Sequence, residues 1–479
     1  MNRTDPSLCS MLGAVPGTAA LVDVRSGERV GKARLVELVA RRTGEFADIG
    51  VRRGDRVIVA EANPLQYLVS ILACWAGGHV AVAVNPAISA HEQQNVIDMT
   101  GATCFRGDCR AIVAQAEEPE TAAPSPLHPD EPALILMTSG TTGRPKGIVH
   151  SLRGLTARIA LNIAHLGRPV LSDTLCMLPV FFGHGLIGNV LTPLHAGGTV
   201  LMWPTPDMAE LRGLGALIDD HRIRFLSSVP TMWKMALRLA EQPKRPLERI
   251  HIGSAPLSAG LWQQVCDWGG TRQVFNMFGM TETANWIGGG AIDEGGARDG
   301  HVGQMWGGSA AILADTGDIL PYGRGEVLVQ TPSIMLGYWR RPDLDAEAFI
   351  GNWFRTGDIG VLDEAGTLAL TGRIKTEINR AGIKIQAEEI DMLLERHEAV
   401  AEACGFGIPD PVSGEAVAAA VVLKAGAEAD PEALKAWCRR QARPDAVPAR
   451  IAIVEAIPRN DRGKVVRADV RAFVEGRMS

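Results

Sequence analysis

The feature that most constrains the fold is an alternation, over the first three quarters of the chain, of short β-branched apolar runs with longer stretches of helical periodicity. Arg56-Val57-Ile58-Val59-Ala60 and His79-Val80-Ala81-Val82-Ala83-Val84 are continuous apolar runs, as a strand buried on both faces requires. Pro64 to Trp75, between them, has the spacing of a helix. The pattern predicts an α/β fold of buried strands joined by crossover helices. From Asp315 to Gly372 short strands are punctuated by Gly and Asp, among them Glu326 to Gln330 and Thr367 to Thr371, and these predict a β-rich unit. Beyond Arg373 an amphipathic helix (Glu388 to His397), a strand (Val417 to Leu423) and a second helix (Pro431 to Gln441) predict a small α+β C-terminal domain. The expected division is 1–374 and 375–479, with a Pro/Glu/Ala-rich connector between Glu117 and Pro132.

Composition narrows the function classes. With 479 residues and 46% hydrophobic content the chain can bury a large core. A net charge of -6 offers no basic footprint for nucleic acid, and no apolar run reaches the length of a membrane span. The first sixteen residues carry Asp5 and break at Pro16 before an apolar core forms, so no secretory signal is expected and the cytoplasm is the default location. Eight cysteines without a Cys-x-x-Cys pair read as reduced thiols, mostly in the core.

Thr138-Ser139-Gly140-Thr141-Thr142-Gly143-Arg144-Pro145-Lys146-Gly147 combines hydroxyls, glycines and lysine in ten residues. It follows the apolar run Ala133 to Met137, so the loop is expected to leave the edge of a sheet with backbone N–H groups free for the phosphates of ATP. It is not a Walker loop, because Lys146 is followed by Gly147 rather than Ser or Thr.

Further segments stand in order along the chain: Asn276-Met277-Phe278-Gly279-Met280-Thr281-Glu282-Thr283, Trp353 to Asp358, Gly372-Arg373-Ile374-Lys375 with Gly382, and Pro458-Arg459-Asn460-Asp461-Arg462-Gly463-Lys464. With the Thr138 loop they make the chain resemble the adenylate-forming superfamily of acyl-CoA synthetases, nonribosomal adenylation domains and luciferases, over nearly its whole length. The resemblance implies activation of a carboxylic acid by ATP to an acyl-adenylate, then transfer to a thiol. A carboxylate is a poor electrophile, and AMP turns its oxygen into a leaving group.

By resemblance, Lys464 bridges the substrate carboxylate and the α-phosphate, Glu282 helps to hold Mg2+, and Thr281 hydrogen-bonds the α-phosphate. Thr138, Ser139, Gly140, Thr141, Thr142, Gly143 and Lys146 cradle phosphates. Phe278 and the wall Ser254-Ala255-Pro256 meet adenine, Asn276 is a further nucleotide-binding residue, and Asp358 and Arg373 take the ribose. Lys375 is the hinge of a mobile C-terminal domain, and Gly382 lines the thiol tunnel. Relatives carry an acid where this chain has Thr376, a proline where it has Ala387, and a Tyr-Lys pair where it has Asp445-Ala446, which leaves open coenzyme A or a carrier-protein phosphopantetheine as the thiol donor.

Phe181 to Asn189 is similar to the pocket helix of benzoate-type CoA ligases, and Asn285 stands where halobenzoate ligases have asparagine. Phe182, His184, Gly279 and Asn285 are the expected acid-binding residues, with the balance toward an aryl acid and a small hydroxy, keto or amino acid as the alternative. A core histidine with a backbone partner is the structural alternative for His184. The nearest functional alternatives are a stand-alone enzyme loading a carrier protein and a non-catalytic AMP-binding scaffold. Oligomeric state is left open, a homodimer included.

Overall fold

The computed structural model describes residues 19–107, 127–139, 145–381, 383–459 and 465–478. Its contacts divide the chain into two compact units. The first comprises 1–297, 302–309 and 329–354; the second comprises 298–301, 310–328 and 355–479.

Two sheets organise the first unit. One runs in the order Gly337–Tyr338, Pro145–Ser151, Pro132–Ser139, Val80–Ala83, Arg56–Ala60, Cys104–Gly107, with Pro132–Ser139, Val80–Ala83, Arg56–Ala60 and Cys104–Gly107 all parallel. Parallel strands need helical crossovers, and Pro64–Ala76 supplies one. This helix starts with Asn63 accepting from the Gln66 N–H and with Pro64 in its first turn, where the missing N–H costs nothing. Almost every residue from Pro64 to Ala76 is buried, as a helix apolar on all sides demands. In the other sheet Val274–Gly279 lies between Arg249–Ile252, parallel to it, and Trp286–Ala291, antiparallel. Phe225–Ser228, Asp173–Cys176 and Thr199–Met202 continue it in parallel.

Pro132–Ser139 corrects one expectation. The strand is interior, flanked by Val80–Ala83 and Pro145–Ser151, and the Thr138 segment turns back into an antiparallel hairpin instead of leaving a sheet edge. The register pairs Thr138 with Lys146. Apolar residues on both faces already place this strand between neighbours; the partner supplied by its own hairpin is the part a run of residues does not show.

In the second unit Trp353–Leu362 pairs antiparallel with Leu368–Arg373. The long hairpin Val400–Asp410 with Gly414–Leu423 carries the helices Ala387–Glu395, Pro431–Gln441 and Arg467–Met478 around it. Cys74, Cys176, Cys266, Cys404 and Cys438 are buried free thiols. No helix among the described residues is long and apolar enough to cross a membrane.

Candidate active site

Val274–Gly279 ends in a tight turn, Thr281–Thr283, that presents Glu282. Three bonds fix this turn. The Thr281 carbonyl accepts from His150 Nε2 at 2.8 Å, the Glu282 carbonyl from the Met335 N–H at 2.8 Å, and the Thr283 carbonyl from Ser333 Oγ at 2.9 Å. Ser333 is held in turn by the buried Arg158, whose Nε reaches its hydroxyl at 3.0 Å. Such a frame leaves the Glu282 side chain little freedom of approach.

Glu282 Oε1 accepts from Tyr338 Oη at 3.0 Å and faces Lys146 Nζ at 3.5 Å. Lys146 also stands 4.1 Å from the Tyr338 ring centroid, a cation on an aromatic face. Burial, and after it the Glu282 carboxylate, push the Tyr338 hydroxyl up from its ordinary pKa, so it stays a donor. Glu282 Oε2 has no partner among the described residues, and the Thr281 hydroxyl has none either. The hairpin thus delivers Lys146 to the expected Glu282 across 136 positions of sequence. Tyr338 was missed; Gly337-Tyr338-Trp339 ahead of Pro342 was the available signal, an aromatic pair framed by turn residues.

His150 is fully buried, and burial lowers its pKa to about 4. Its Nε2 must carry the proton, because a carbonyl can only accept. Protonation is favoured in the unfolded chain below about pH 6.5, so this contribution to stability is complete above that pH and is lost as pH falls toward 4. We expect about 2 kcal/mol to disappear at pH 5 from this group. His150→Gln retains an N–H donor and cannot titrate. Its melting temperature should therefore fall less than the wild type's between pH 7 and pH 5, and equal falls would contradict the assignment.

The pocket segment winds as a π-helix over His184–Leu191, with the Thr192 N–H on the Ile187 carbonyl five residues back. His184 is half-buried and lies between two hydroxyls, Nδ1 2.9 Å from Ser254 Oγ and Nε2 2.8 Å from Ser227 Oγ. Both ring nitrogens thus have hydroxyl partners. Ser254 adopts φ 67°, a left-handed conformation, and Ser254-Ala255-Pro256 is exposed. Gly279 permits a close crossing: a Cβ there would sit 2.4 Å from the Asn285 carbonyl oxygen. Asn285 is buried, and its Nδ2 has no partner among the described residues. Asn276 and Phe278 are buried on the same strand, and Phe182 packs beside Phe181 with ring centroids 4.5 Å apart.

In the second unit Asp358 and Arg373 are register partners, and Arg373 Nε meets Asp358 Oδ1 at 2.7 Å. Buried Glu326 braces this segment, binding Arg355 at 2.7 Å and accepting from the Gly357 N–H at 3.1 Å. Lys375 is exposed. Beside it the Thr376 hydroxyl lies 2.9 and 3.0 Å from the two Glu388 carboxylate oxygens, so an acid does stand next to this position, contributed by a helix twelve residues on. Gly140, Thr141, Thr142, Gly143, Gly382 and Lys464 lie outside the described residues, and Ser139 is described only as the end of its strand.

The first unit sets a hairpin lysine against a framed glutamate, and the second holds a carboxylate–arginine pair. Residues 13–339 match the family model described as AMP-binding enzyme, and 389–464 match that of the AMP-binding enzyme C-terminal domain. The chain belongs to the AMP-binding enzyme family. It is similar to the oxalate-CoA ligase of Arabidopsis thaliana, 30% identical with 91% of each chain covered. It is also similar to the sulfoacetate-CoA ligase of Cupriavidus necator, 32% identical over 75% of this chain and 71% of the relative. The crystal structure of ATP-bound MatB from Rhodopseudomonas palustris superposes with a TM-score of 0.86 at 27% identity, covering 100% of both chains.

Proposed function

We propose that the chain is an AMP-forming acid-thiol ligase. It joins a carboxylate oxygen to the α-phosphorus of ATP, releasing pyrophosphate. It then passes the acyl group from AMP to the sulfur of coenzyme A, which loses its proton. The observation that carries this reading is the framed Glu282 turn facing Lys146 at the end of the Thr138 hairpin. Relatives named as CoA ligases, matched over nine tenths of their length in the case of oxalate-CoA ligase, support coenzyme A as the acceptor.

Divalent magnesium fits the residues present. The Glu282 carboxylate is a hard oxygen donor with Oε2 unpartnered among the described residues, and magnesium is held by one or two carboxylates together with phosphate oxygens and water. When bound it would neutralise charge on the phosphates. The chain's own groups do the rest. Lys146 and the Thr281 hydroxyl donate to phosphate oxygens, and Lys464 is, by resemblance, the cation that bridges the two anions that must meet. Asp358 with Arg373 takes the ribose hydroxyls, and Phe278 offers a face to adenine. Lys375 marks the hinge between 1–374 and 375–479, with Gly382 on the thiol path. A cytoplasmic setting belongs to the same proposal, in keeping with the buried free thiols.

Incubation with ATP, Mg2+ and a panel of carboxylic acids, with hydroxylamine as the trap, tests the reading. Acid-dependent pyrophosphate release and a hydroxamate are expected, then a thioester on adding coenzyme A. A thioester formed only with a phosphopantetheinyl carrier would reassign the acceptor. Tight AMP binding with no acid-dependent release would favour a scaffold.

A further inference from the structure

We propose that Trp286 is the floor of the acid pocket, and that the pocket takes a short, non-aromatic acid whose far end carries an oxygen acceptor for Asn285. This rests on the ligase reading. It departs from the aryl acid that the pocket segment by itself suggests.

Trp286 begins the strand Trp286–Ala291 immediately after Asn285 and is 3% exposed. Its ring meets His184 edge-on at 5.3 Å and stands on His251 at 4.8 Å and Phe225 at 6.3 Å. His184 and Gly188 lie four residues apart on the pocket helix. A Cβ on Gly188 would come within 2.9 Å of Trp286 Cη2 and 2.3 Å of Asn285 Nδ2. The inner face of the helix beyond His184 is therefore already filled by an indole and a carboxamide, which leaves no space for a ring on that face. Gly188 is the residue that lets them come so close.

The polar chemistry points the same way. Asn285 is 5% exposed, and its Nδ2 has no acceptor among the described residues. A buried amide N–H without a partner is costly, and a ligand oxygen removes that cost. The preceding residue, Ala284, holds φ 68°, a conformation that non-glycine residues rarely adopt, and it directs the chain from the Glu282 turn into Asn285. His184 is held by Ser227 and Ser254, so it serves as a fixed wall. Asn285 Nδ2 is an unspent donor among the described residues, as is Trp286 Nε1 beside it.

The test measures kcat/KM by hydroxamate trapping for acetate, oxalate, malonate, benzoate and cinnamate. The wild type should favour oxalate or malonate over benzoate by about a hundredfold or more, the scale on which a site with a buried polar donor separates acids. Trp286→Ala should raise the benzoate-to-malonate ratio at least about tenfold. Trp286→Leu, which keeps the core filled, should raise it in the same direction. Asn285→Ala should lower kcat/KM for the acceptor-bearing acids about tenfold to a hundredfold while sparing acetate. Circular dichroism and melting temperature identify the variants that fold. A wild type that prefers benzoate or cinnamate overturns the proposal and leaves the ligase reading standing, as does a folded Trp286→Leu with unchanged ratios. Absence of hydroxamate and of pyrophosphate release with every acid removes the ligase reading and this proposal with it.

Discussion

Lys464→Ala is expected to reduce acyl-adenylate formation about a hundredfold or more, equivalent to roughly 3 kcal/mol of transition-state stabilisation. Adenylation brings two anions together, and a fixed cation between them acts where charge concentrates. The lysine lies outside the described residues; the residues on either side of that segment are described. Arg459 and Val465 form a β-bridge, and Arg459 pairs with Glu402. Just beyond, Arg467 binds Asp391 at 2.6 Å and Glu388 at 3.0 Å. Thioester formation from pre-made acyl-adenylate should be much less affected. Measuring the two half-reactions separately checks this, and equal losses in both would refute the division of labour.

Glu282→Gln is expected to cost about a hundredfold in kcat/KM for ATP at low Mg2+, with part of the loss recovered at high Mg2+, because an amide is a poorer ligand for a hard cation than a carboxylate. The glutamine oxygen can still accept from Tyr338, so the fold should be nearly unchanged. The Lys146 ammonium, however, loses its counter-charge at 3.5 Å. Acid-dependent pyrophosphate exchange titrated with Mg2+, alongside a melting curve, separates these effects. A variant with the wild-type Mg2+ dependence would remove Glu282 from the metal, and a collapsed melting temperature would make it a structural residue.

Sequence reasoning reached the elements whose signal is local. The apolar run Ala133 to Met137, the helix beginning at Pro64 and the helix Pro431–Gln441 follow from periodicity, proline position and capping, which act over a few residues. The ordered motifs gave Lys146, Glu282, Asp358 and Arg373 as candidates. Nothing local reports who stands opposite whom. That Lys146 and Tyr338 share one oxygen of Glu282, and that Asp358 opposes Arg373, are matters of hairpin register and strand order. Glu326, buried beneath Arg355 and Gly357, looks in sequence like any strand glutamate.

The pocket shows the division most clearly. By itself the sequence determined that this is an α/β chain with the motifs of an adenylate-forming enzyme, because hydrophobic period and motif chemistry are written residue by residue. Only the tertiary structure decided how closely the residues expected to bind the acid approach one another. Gly188 and Trp286 are nearly a hundred positions apart, and the indole closes the face of the helix solely because glycine lets it approach. Excluded volume and unpaired donors belong to residues brought together from distant strands, so pocket depth and the free amide of Asn285 appear only once the chain is folded.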